Sequence, residues 1–448
     1  MEFVQACREF ISIDSTPTQG SKKAAEFAAQ FCRSLGLHVE EQIESSPLGE
    51  ESNIIVRHNS ERHGLELLLQ NHLDTVDPGP FHLWSVTGNN PFDATIVDSK
   101  IHGLGSADVK LDFLCKARAM ASISGKNPNF KLAPVLVGTY GEETGMTGCL
   151  KLIRKNKVNP KYALIGEPTN LSLANAAKGF VSVEIIIPFS RDEIQYRSEH
   201  NLRESTSTQS KLFHGTSAHS AHPHLGDSAI LKMLSYLDMI PESVALMEID
   251  GGNSYNTVPS HAFLELDFTP VSNPVNSKIK NIFSAIKSLE SEFKNHIDNG
   301  YSPNHPTLNI GLIRTLEDHI LMSGSCRILP SITQDTFDKW MDFLRQSCLK
   351  NECQFRITDY KKPFSSSETS IFTKGCRDIL SEMNLPNVLT SLSSTNESSL
   401  ISRLNVECLC FGPGLRENNI HTPNENVLVD DLEKATQFYT KVIERFCL

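Results

Sequence analysis

Residues 67–79 read LLLQNHLDTVDPG, and in this stretch an unbroken apolar run leads directly into His72 and Asp74. A short continuous apolar run is typical of a strand that is buried on both faces, as in a parallel sheet. Residues two apart in a strand point to the same side, so we expect Asp74 beside His72. A carboxylate in that position could orient the imidazole of a metal ligand. The alternative is a strand that simply ends in solvent with two polar side chains.

Three other segments have the same form, with an apolar run ahead of a potential metal ligand. APVLVGTY precedes Glu142 and Glu143, YALI precedes Glu167, and VECLCFGPG precedes His421. Ligands of open α/β sheets bind beyond the carboxyl ends of the strands, so these segments are expected to converge there. The repeated pattern favours a metal centre over four independent coincidences.

A chain of 448 residues is long enough to predict two domains. Two different patterns of strands and helices divide it. Residues 1–176 and 363–448 alternate short strands with helices, which predicts one α/β domain with a mixed sheet flanked by helices. Residues 177–362 contain alternating strands and fewer helices, which predicts an α+β domain inserted into the first. Within this insertion, residues 190–211 are polar without apolar periodicity, and we expect an exposed excursion or a mobile loop.

The composition limits the partners and the location of the protein. A net charge of -11 without a Lys/Arg tract argues against nucleic acid or an anionic membrane as a partner and favours small-molecule or short-peptide substrates. No run approaches the ~20 apolar residues of a membrane span, and the N-terminus lacks the apolar region of a signal peptide. The eleven cysteines form no CxxC pair. We therefore expect reduced thiols in a cytoplasmic protein.

The adjacent carboxylates of Glu142 and Glu143 are costly to bring together unless a cation compensates them or one stays protonated. Neighbouring residues point in different directions, so one carboxylate could bind a metal while the other reaches a bound water. A solvated pair of loop residues is the alternative.

Other candidates are less specific when each is read alone. Asp108, in GLGSADVKLDF, would suit a helix N-cap, and Gly103-Leu104-Gly105 lacks the third glycine of a dinucleotide-binding loop. His219, His222 and His224 crowd one short segment, which suggests either a metal site or a surface cluster of histidines.

Taken in chain order, NHLDTV, GLGSADVK, GEETGMTG, IGEPT, GTSAHSAHP and FGPG...HTPNE resemble the motifs of a superfamily of di-zinc amidohydrolases and metallopeptidases. It includes acetylornithine deacetylase, succinyl-diaminopimelate desuccinylase, carboxypeptidase G and aminoacylase. The resemblance covers most of the chain. It implies a zinc-binding catalytic domain interrupted by a lid or dimerisation domain, and a homodimer formed through that lid. It also implies two Zn²⁺ per chain, for which Co²⁺ or Mn²⁺ could substitute.

The resemblance assigns a role to each candidate ligand. Asp108 resembles the carboxylate that bridges both metals. His72 and Glu167 resemble the ligands of one metal, and Glu143 and His421 resemble those of the other. Such a centre needs a shared anionic ligand between the two ions.

Catalytic roles are implied for three further residues. Glu142 falls on the general base that activates water and returns the proton to the leaving amine. Asp74 matches the aspartate that orients a ligand histidine. His219 resembles the lid histidine that stabilises the oxyanion of the tetrahedral intermediate.

Substrate-binding positions of the family fall on Arg327, Asn256 and Gly414. A planar guanidinium suits a carboxylate, so Arg327 is the first candidate for specificity, although a surface arginine before a turn is the alternative. The chain also departs from its relatives, because Val109-Lys110-Leu111-Asp112 stands where Met-Lys-Gly-Gly is common.

These features together predict a zinc-dependent hydrolase that cleaves an amide bond of an N-acyl amino acid or of a short peptide with a free carboxylate, in the manner of acetylornithine deacetylase. Two alternatives remain open. One is a dipeptidase or carboxypeptidase of the same superfamily, and the other is a metal-binding homologue that has lost catalysis.

Overall fold

The computed structural model describes residues 2–46, 49–59, 64–124, 130–199, 201, 209–241, 244–267 and 275–448. Two compact units are formed. Unit 1 comprises Met1–Ala176, Phe364–Ser391 and Asn396–Leu448, and unit 2 comprises Ala177–Pro363 and Leu392–Thr395.

The α-helices of the described residues are α1 (Phe3–Ile11), α2 (Lys22–Ser34), α3 (Lys110–Ser124), α4 (Thr147–Arg154), α5 (Arg191–Glu199), α6 (Ala229–Met239), α7 (Val275–Phe293), α8 (Gln334–Lys350), α9 (Ile371–Glu382), α10 (Ser398–Ile401) and α11 (Val429–Cys447).

The strands of the described residues are β1 (His38–Ser46), β2 (Gly49–Arg57), β3 (Glu66–His72), β4 (Thr95–Val97), β5 (Lys100–His102), β6 (Ala133–Thr139), β7 (Pro160–Gly166), β8 (Leu173–Ala177), β9 (Gly179–Pro188), β10 (Gln209–His214), β11 (Ala218–His219), β12 (Ala245–Gly251), β13 (Thr257–Val258), β14 (His261–Asp267), β15 (Thr307–Thr315), β16 (His319–Ile328), β17 (Gln354–Lys361), β18 (Phe364–Ser365), β19 (Leu389–Leu392), β20 (Glu407–Phe411) and β21 (Asn426–Leu428).

The main sheet of unit 1 has the order β1-β2-β6-β3-β7-β20-β8-β18, and β19 pairs with β8. Its centre is parallel, because β3 runs parallel to β6 and β7, and β20 runs parallel to β7. The flanking pairs β1–β2, β2–β6 and β20–β8 are antiparallel. The mixed sheet that the sequence predicted is therefore confirmed.

The apolar run at the start of the opening sequence forms the centre of this sheet. Every residue of β3 is buried, as expected for a strand with helices on both faces of its sheet. The helices α3 and α11 pack against each other and against β3. Their apolar side chains join those of the strands in one hydrophobic core.

Unit 2 is built on an antiparallel sheet with the order β10-β14-β12-β15-β16-β9-β17. Helices α6, α7 and α8 pack on it, and β11 forms a separate short pair with β13. Along β14 exposed or half-buried residues alternate with buried ones, which is the pattern of a strand with one face in the core.

The polar stretch 190–211 differs in part from the expectation of an exposed loop. Residues Arg191–Glu199 form α5, whose start has the reciprocal hydrogen bonds of a capping box. The Ser190 N–H donates to Glu193 Oε2 (3.0 Å), and the Glu193 N–H donates to Ser190 Oγ (3.1 Å). Apolar periodicity missed this helix because it has little apolar surface, whereas the S-x-x-E spacing would have indicated it. Residues 200 and 202–208 lie outside the described residues.

Two further findings concern membrane-spanning helices and the cysteines. No helix of the described part of the chain is long and apolar enough to cross a membrane. The eleven cysteines are free thiols, and each of them is buried.

Candidate metal centre

The candidate residues of unit 1 lie at one edge of the main sheet, where its parallel strands end. His72 is the last residue of β3, Glu142 and Glu143 follow β6, and Glu167 follows β7. The strands β6, β3 and β7 are neighbours in the sheet. The sheet topology therefore brings these side chains to one place, as ligand-binding edges of α/β sheets do.

Asp108 is the centre of the cluster. Its Oδ1 lies 3.3 Å from Nε2 of His72, and its Oδ2 lies 3.2 Å from Nε2 of His421. His421 Nε2 is also 3.1 Å from Oε1 of Glu143. One ligand atom each from His72, Asp108 and Glu143 lies within 4.8 Å of the others. The two oxygens of Asp108 thus face two different imidazoles, which is the arrangement that a carboxylate needs to bridge two cations.

The donor set fits divalent metal ions. Imidazole nitrogens and carboxylate oxygens are suitable ligands for Zn²⁺, Co²⁺ and Mn²⁺. Removal from water raises the pKa of Glu167 to about 7, and removal from water together with the Glu143 carboxylate raises the pKa of Glu142 well above its usual range. Such a concentration of acidic groups is electrostatically costly until cations neutralise it. Among the residues that the structure describes, His219, His222 and His224 do not belong to a group of three ligand atoms within 4.8 Å of one another.

Asp74 orients its neighbours through atoms other than those expected. Nδ1 of His72 lies 2.9 Å from the main-chain carbonyl oxygen of Asp74, whereas the nearest carboxylate contact of that nitrogen is 3.8 Å. The Asp74 carboxylate accepts the N–H groups of Glu142 (3.1 Å) and Glu143 (3.0 Å). The carbonyl thus fixes the imidazole with Nε2 toward Asp108, and the carboxylate fixes the loop that carries the two glutamates.

Glu425 holds the Asp108 loop and was missed by the sequence reasoning. Its carboxylate is buried and accepts three main-chain N–H groups, from Gly105 (3.1 Å), Ala107 (2.8 Å) and Asp108 (3.0 Å). It lies four residues after His421, in the motif HTPNE. The same short segment therefore supplies one candidate ligand, His421, and fixes the backbone of another, Asp108. The motif HTPNE was the feature of the sequence from which Glu425 could have been identified.

The glycines of FGPG act through close packing. A Cβ at Gly412 would lie 2.5 Å from the carbonyl oxygen of Glu167, and a Cβ at Gly414 would lie 2.5 Å from that of Ala107. A side chain at either position would displace a residue at or beside a candidate ligand. This close approach gives Gly414 a packing role, and its position in substrate binding stays a prediction.

A second buried carboxylate behind the site was also missed. Glu397 accepts hydrogen bonds from Nε2 of Gln70 (2.6 Å) and from Oγ1 of Thr139 (2.8 Å), and burial raises its pKa to about 7. Gln70 lies two residues before His72, and Thr139 ends β6. Glu397 therefore ties together the ends of the two strands that carry candidate site residues.

An ion pair in the core lies on the other side of β3. Asp112 and Lys116 of α3 are fully buried and 3.1 Å apart, and Lys116 also donates to the carbonyl oxygen of Gln70 (2.9 Å). The Asp112 carboxylate accepts further hydrogen bonds from the Tyr439 hydroxyl (2.6 Å) and from Nδ2 of Asn71 (2.9 Å). Asp112 is one of the residues at which the sequence departs from the Met-Lys-Gly-Gly pattern that the resemblance implies.

In unit 2 the predicted lid residues form a cluster of their own. Nε2 of His219 lies 3.3 Å from Nδ2 of Asn256, and Arg327 donates to Oδ1 of Asn256 (2.9 Å). The Arg327 guanidinium stands over the ring of Phe180, 4.7 Å from its centroid. Arg327 is only 5% exposed, so the alternative of a surface arginine is wrong.

Comparisons with known proteins agree with this architecture. Residues 68–445 match the model of peptidase family M20/M25/M40. The chain is 25% identical over 449 residues to an acetylornithine deacetylase of Aliivibrio salmonicida, and the alignment covers 97% of this chain and 94% of the relative.

Two solved structures share the fold. A metallo-carboxypeptidase of the M20 family from Sulfolobus solfataricus has a TM-score of 0.64 at 17% identity, covering 100% of this chain and 99% of that one. An aminoacylhistidine dipeptidase from Vibrio alginolyticus has a TM-score of 0.63 at 15% identity, covering 99% and 96%. Because the family match extends over most of the chain, this protein belongs to peptidase family M20/M25/M40 and is a metal-dependent hydrolase of amide or peptide bonds.

Proposed function

We propose that the protein uses two divalent metal ions to hydrolyse an amide bond of an N-acyl amino acid or of a short peptide that carries a free carboxylate. The observation that carries the proposal is the position of Asp108, whose two oxygens face His72 and His421. On this proposal Asp108 would be a ligand common to both ions, His72 and Glu167 would hold one ion, and Glu143 and His421 would hold the other. Zn²⁺ is the expected metal, and Co²⁺ or Mn²⁺ would suit the same ligands.

Bound metal ions would polarise the substrate carbonyl and make an attacking water more acidic. Glu142 is the residue that would accept the proton of that water. A carboxylate can take up this proton, and the acid so formed can return it to the leaving amine. The hydrogen bond from its main-chain N–H to Asp74 keeps Glu142 in place while its own carboxylate stays available.

Arg327 and Asn256 support recognition of a carboxylate substrate, and His219 supports stabilisation of the oxyanion. The Arg327 guanidinium is buried and stacked on Phe180, so its fork is held rigidly for a planar anion. His219 lies beside Asn256 in the same unit, and an imidazole there suits an anionic intermediate. The alignment with an acetylornithine deacetylase spans nearly the whole chain. It supports deacylation as the activity of this protein over the activity of a dipeptidase or carboxypeptidase.

The test of this function is metal content combined with a substrate panel. We expect about two metal ions per chain and turnover of one class among acetylornithine, succinyl-diaminopimelate, other N-acyl amino acids and simple dipeptides. Turnover confined to dipeptides would replace the deacylase with the alternative. Absence of bound metal in folded protein would contradict the roles of His72, Asp108 and the other candidate ligands together.

Arg327→Met on the same panel tests the carboxylate requirement. Loss of a hydrogen-bonded charge pair is expected to cost about 1.5–3 kcal/mol, which corresponds to a decrease of about 10- to 150-fold in kcat/KM for the best substrate. Arg314→Met is the matched control, because Arg314 pairs with Asp250 at the exposed surface of the same unit. A substrate amide in place of the free carboxylate should be hydrolysed equally by wild type and Arg327→Met.

A homodimer formed through unit 2 is part of the proposal. The strand β10 is at the edge of its sheet, with Leu212 66% exposed, and Met239 on the adjacent α6 is 75% exposed. An edge strand with exposed apolar side chains of this kind favours pairing with a second copy. Sedimentation should give twice the chain mass of 49.8 kDa, and Leu212→Asp should give the monomer. A monomeric wild type would exclude the dimer.

Cytoplasmic location is proposed from the free thiols and would be tested by cell fractionation.

A further inference from the structure

Arg416 forms an ion pair with a candidate metal ligand and has no part in the proposed mechanism so far. Its Nη2 donates a hydrogen bond to Oε2 of Glu167. The Glu167 side chain is 7% exposed and that of Arg416 is 26% exposed, so the carboxylate is buried while the guanidinium reaches it from the surface. A buried carboxylate that lacks a cationic or metal partner is destabilising, and this contact supplies one partner.

The backbone around Arg416 connects both sides of the candidate centre. The carbonyl oxygens of Gly412 and Gly414 accept the N–H groups of Leu171 (2.9 Å) and Asn170 (2.7 Å), which follow Glu167 in the chain. The carbonyl oxygen of Arg416 accepts the N–H of Ile420 (3.4 Å), the residue before His421. Arg416 is therefore placed by one loop that is fastened to the Glu167 segment and leads into the His421 turn.

The hydrogen bond from Arg416 is accepted by one carboxylate oxygen of Glu167, Oε2. Oε2 of Glu167 is occupied by the guanidinium, so Oε1 is the oxygen that can bind a metal without competition from Arg416. A partner that fixes a ligating carboxylate in this way restricts its rotation, and such partners typically change metal affinity by 10- to 100-fold when they are removed.

We propose that Arg416 is a positioning residue that holds Glu167 for the metal ion shared with His72, and so sets the affinity and ligand geometry of one of the two ions. This inference rests on the proposed metal centre and deepens it. On this inference only the ion held by His72 and Glu167 depends on Arg416. The other ion would be held by Glu143 and His421.

The test is Co²⁺ titration of the metal-free full-length protein, followed by visible absorption and by competition with a chelator. Wild type, Arg416→Met, Arg416→Lys and Arg118→Met are compared. Arg118 is the matched control because it pairs with Glu433 at 2.7 Å in the same unit with 30% of its side chain exposed. We expect Arg416→Met to weaken one of the two Co²⁺ ions by about 10- to 100-fold and to change its absorption bands. Arg118→Met should behave as wild type.

The outcomes separate this inference from the metal centre itself. Two Co²⁺ ions bound by Arg416→Met within twofold of the wild-type affinities, with an unchanged spectrum, would overturn the role of Arg416 and leave the centre intact. A wild type that binds no Co²⁺ would overturn the centre, and the inference with it. If Arg416→Met does not fold, Arg416→Lys decides, because lysine keeps the charge without the planar fork and should still alter the spectrum.

Discussion

Glu142→Ala is expected to lower kcat by about 10²- to 10⁴-fold while two metal ions stay bound, because a general base contributes a factor of this size. Loss of the side chain does not remove the hydrogen bond from the Glu142 main-chain N–H to Asp74, so the loop should keep its conformation. The measurement is kcat on the best substrate of the panel, with metal content determined on the same preparation.

The neighbouring Glu143 provides the control for this experiment. Glu143 contacts His421 and belongs to the candidate cluster, so Glu143→Ala should lose affinity for metal, whereas Glu142→Ala should not. Full activity of Glu142→Ala would exclude it as the base. A wild type with two bound ions and no turnover of any substrate would instead favour the homologue that has lost catalysis.

Lys116→Met is expected to lower the free energy of unfolding of unit 1 by about 3–5 kcal/mol, because it leaves the Asp112 carboxylate buried without its cation. Denaturant unfolding can be followed through Trp84 in a Trp340→Phe background, since the two tryptophans of the chain lie in different units. The midpoint of the Trp84 transition should move to lower denaturant in Lys116→Met.

Two controls separate the effect of a lone buried charge from loss of a salt bridge. The pair Asp430 and Lys434 of unit 1 has the same four-residue spacing and a 2.6 Å contact, but its side chains are 73% and 38% exposed, so Lys434→Met should change stability little. The double variant Asp112→Leu/Lys116→Met removes both charges and should recover much of the loss. Equal losses in the single and double variants would show that the methylene packing of Lys116 matters more than its charge.

The sequence by itself was sufficient to predict the mixed sheet and the place of the candidate metal site in it. Apolar runs such as the one before His72 mark buried strands, and the residue that ends a parallel strand must lie at the ligand-binding edge of the sheet. These are local properties of the chain, so residues 67–79 carry them without reference to distant segments. The motifs around Asp108, Glu142 and Glu167 are likewise continuous in sequence, and the family match agrees with them.

The tertiary structure alone decided how the site residues are held. The Asp74 carboxylate accepts the N–H of Glu142 and lies 3.8 Å from Nδ1 of His72, and these segments meet only when β3 and β6 pair. Glu425 reaches Asp108 across 317 positions of sequence, and Arg416 reaches Glu167 across 249. Hydrogen bonds and ion pairs between such distant residues leave no periodic trace in either segment. Their geometry is fixed by the packing of the whole domain, which is why the sequence indicated the candidate ligands and only the fold revealed which residues position them.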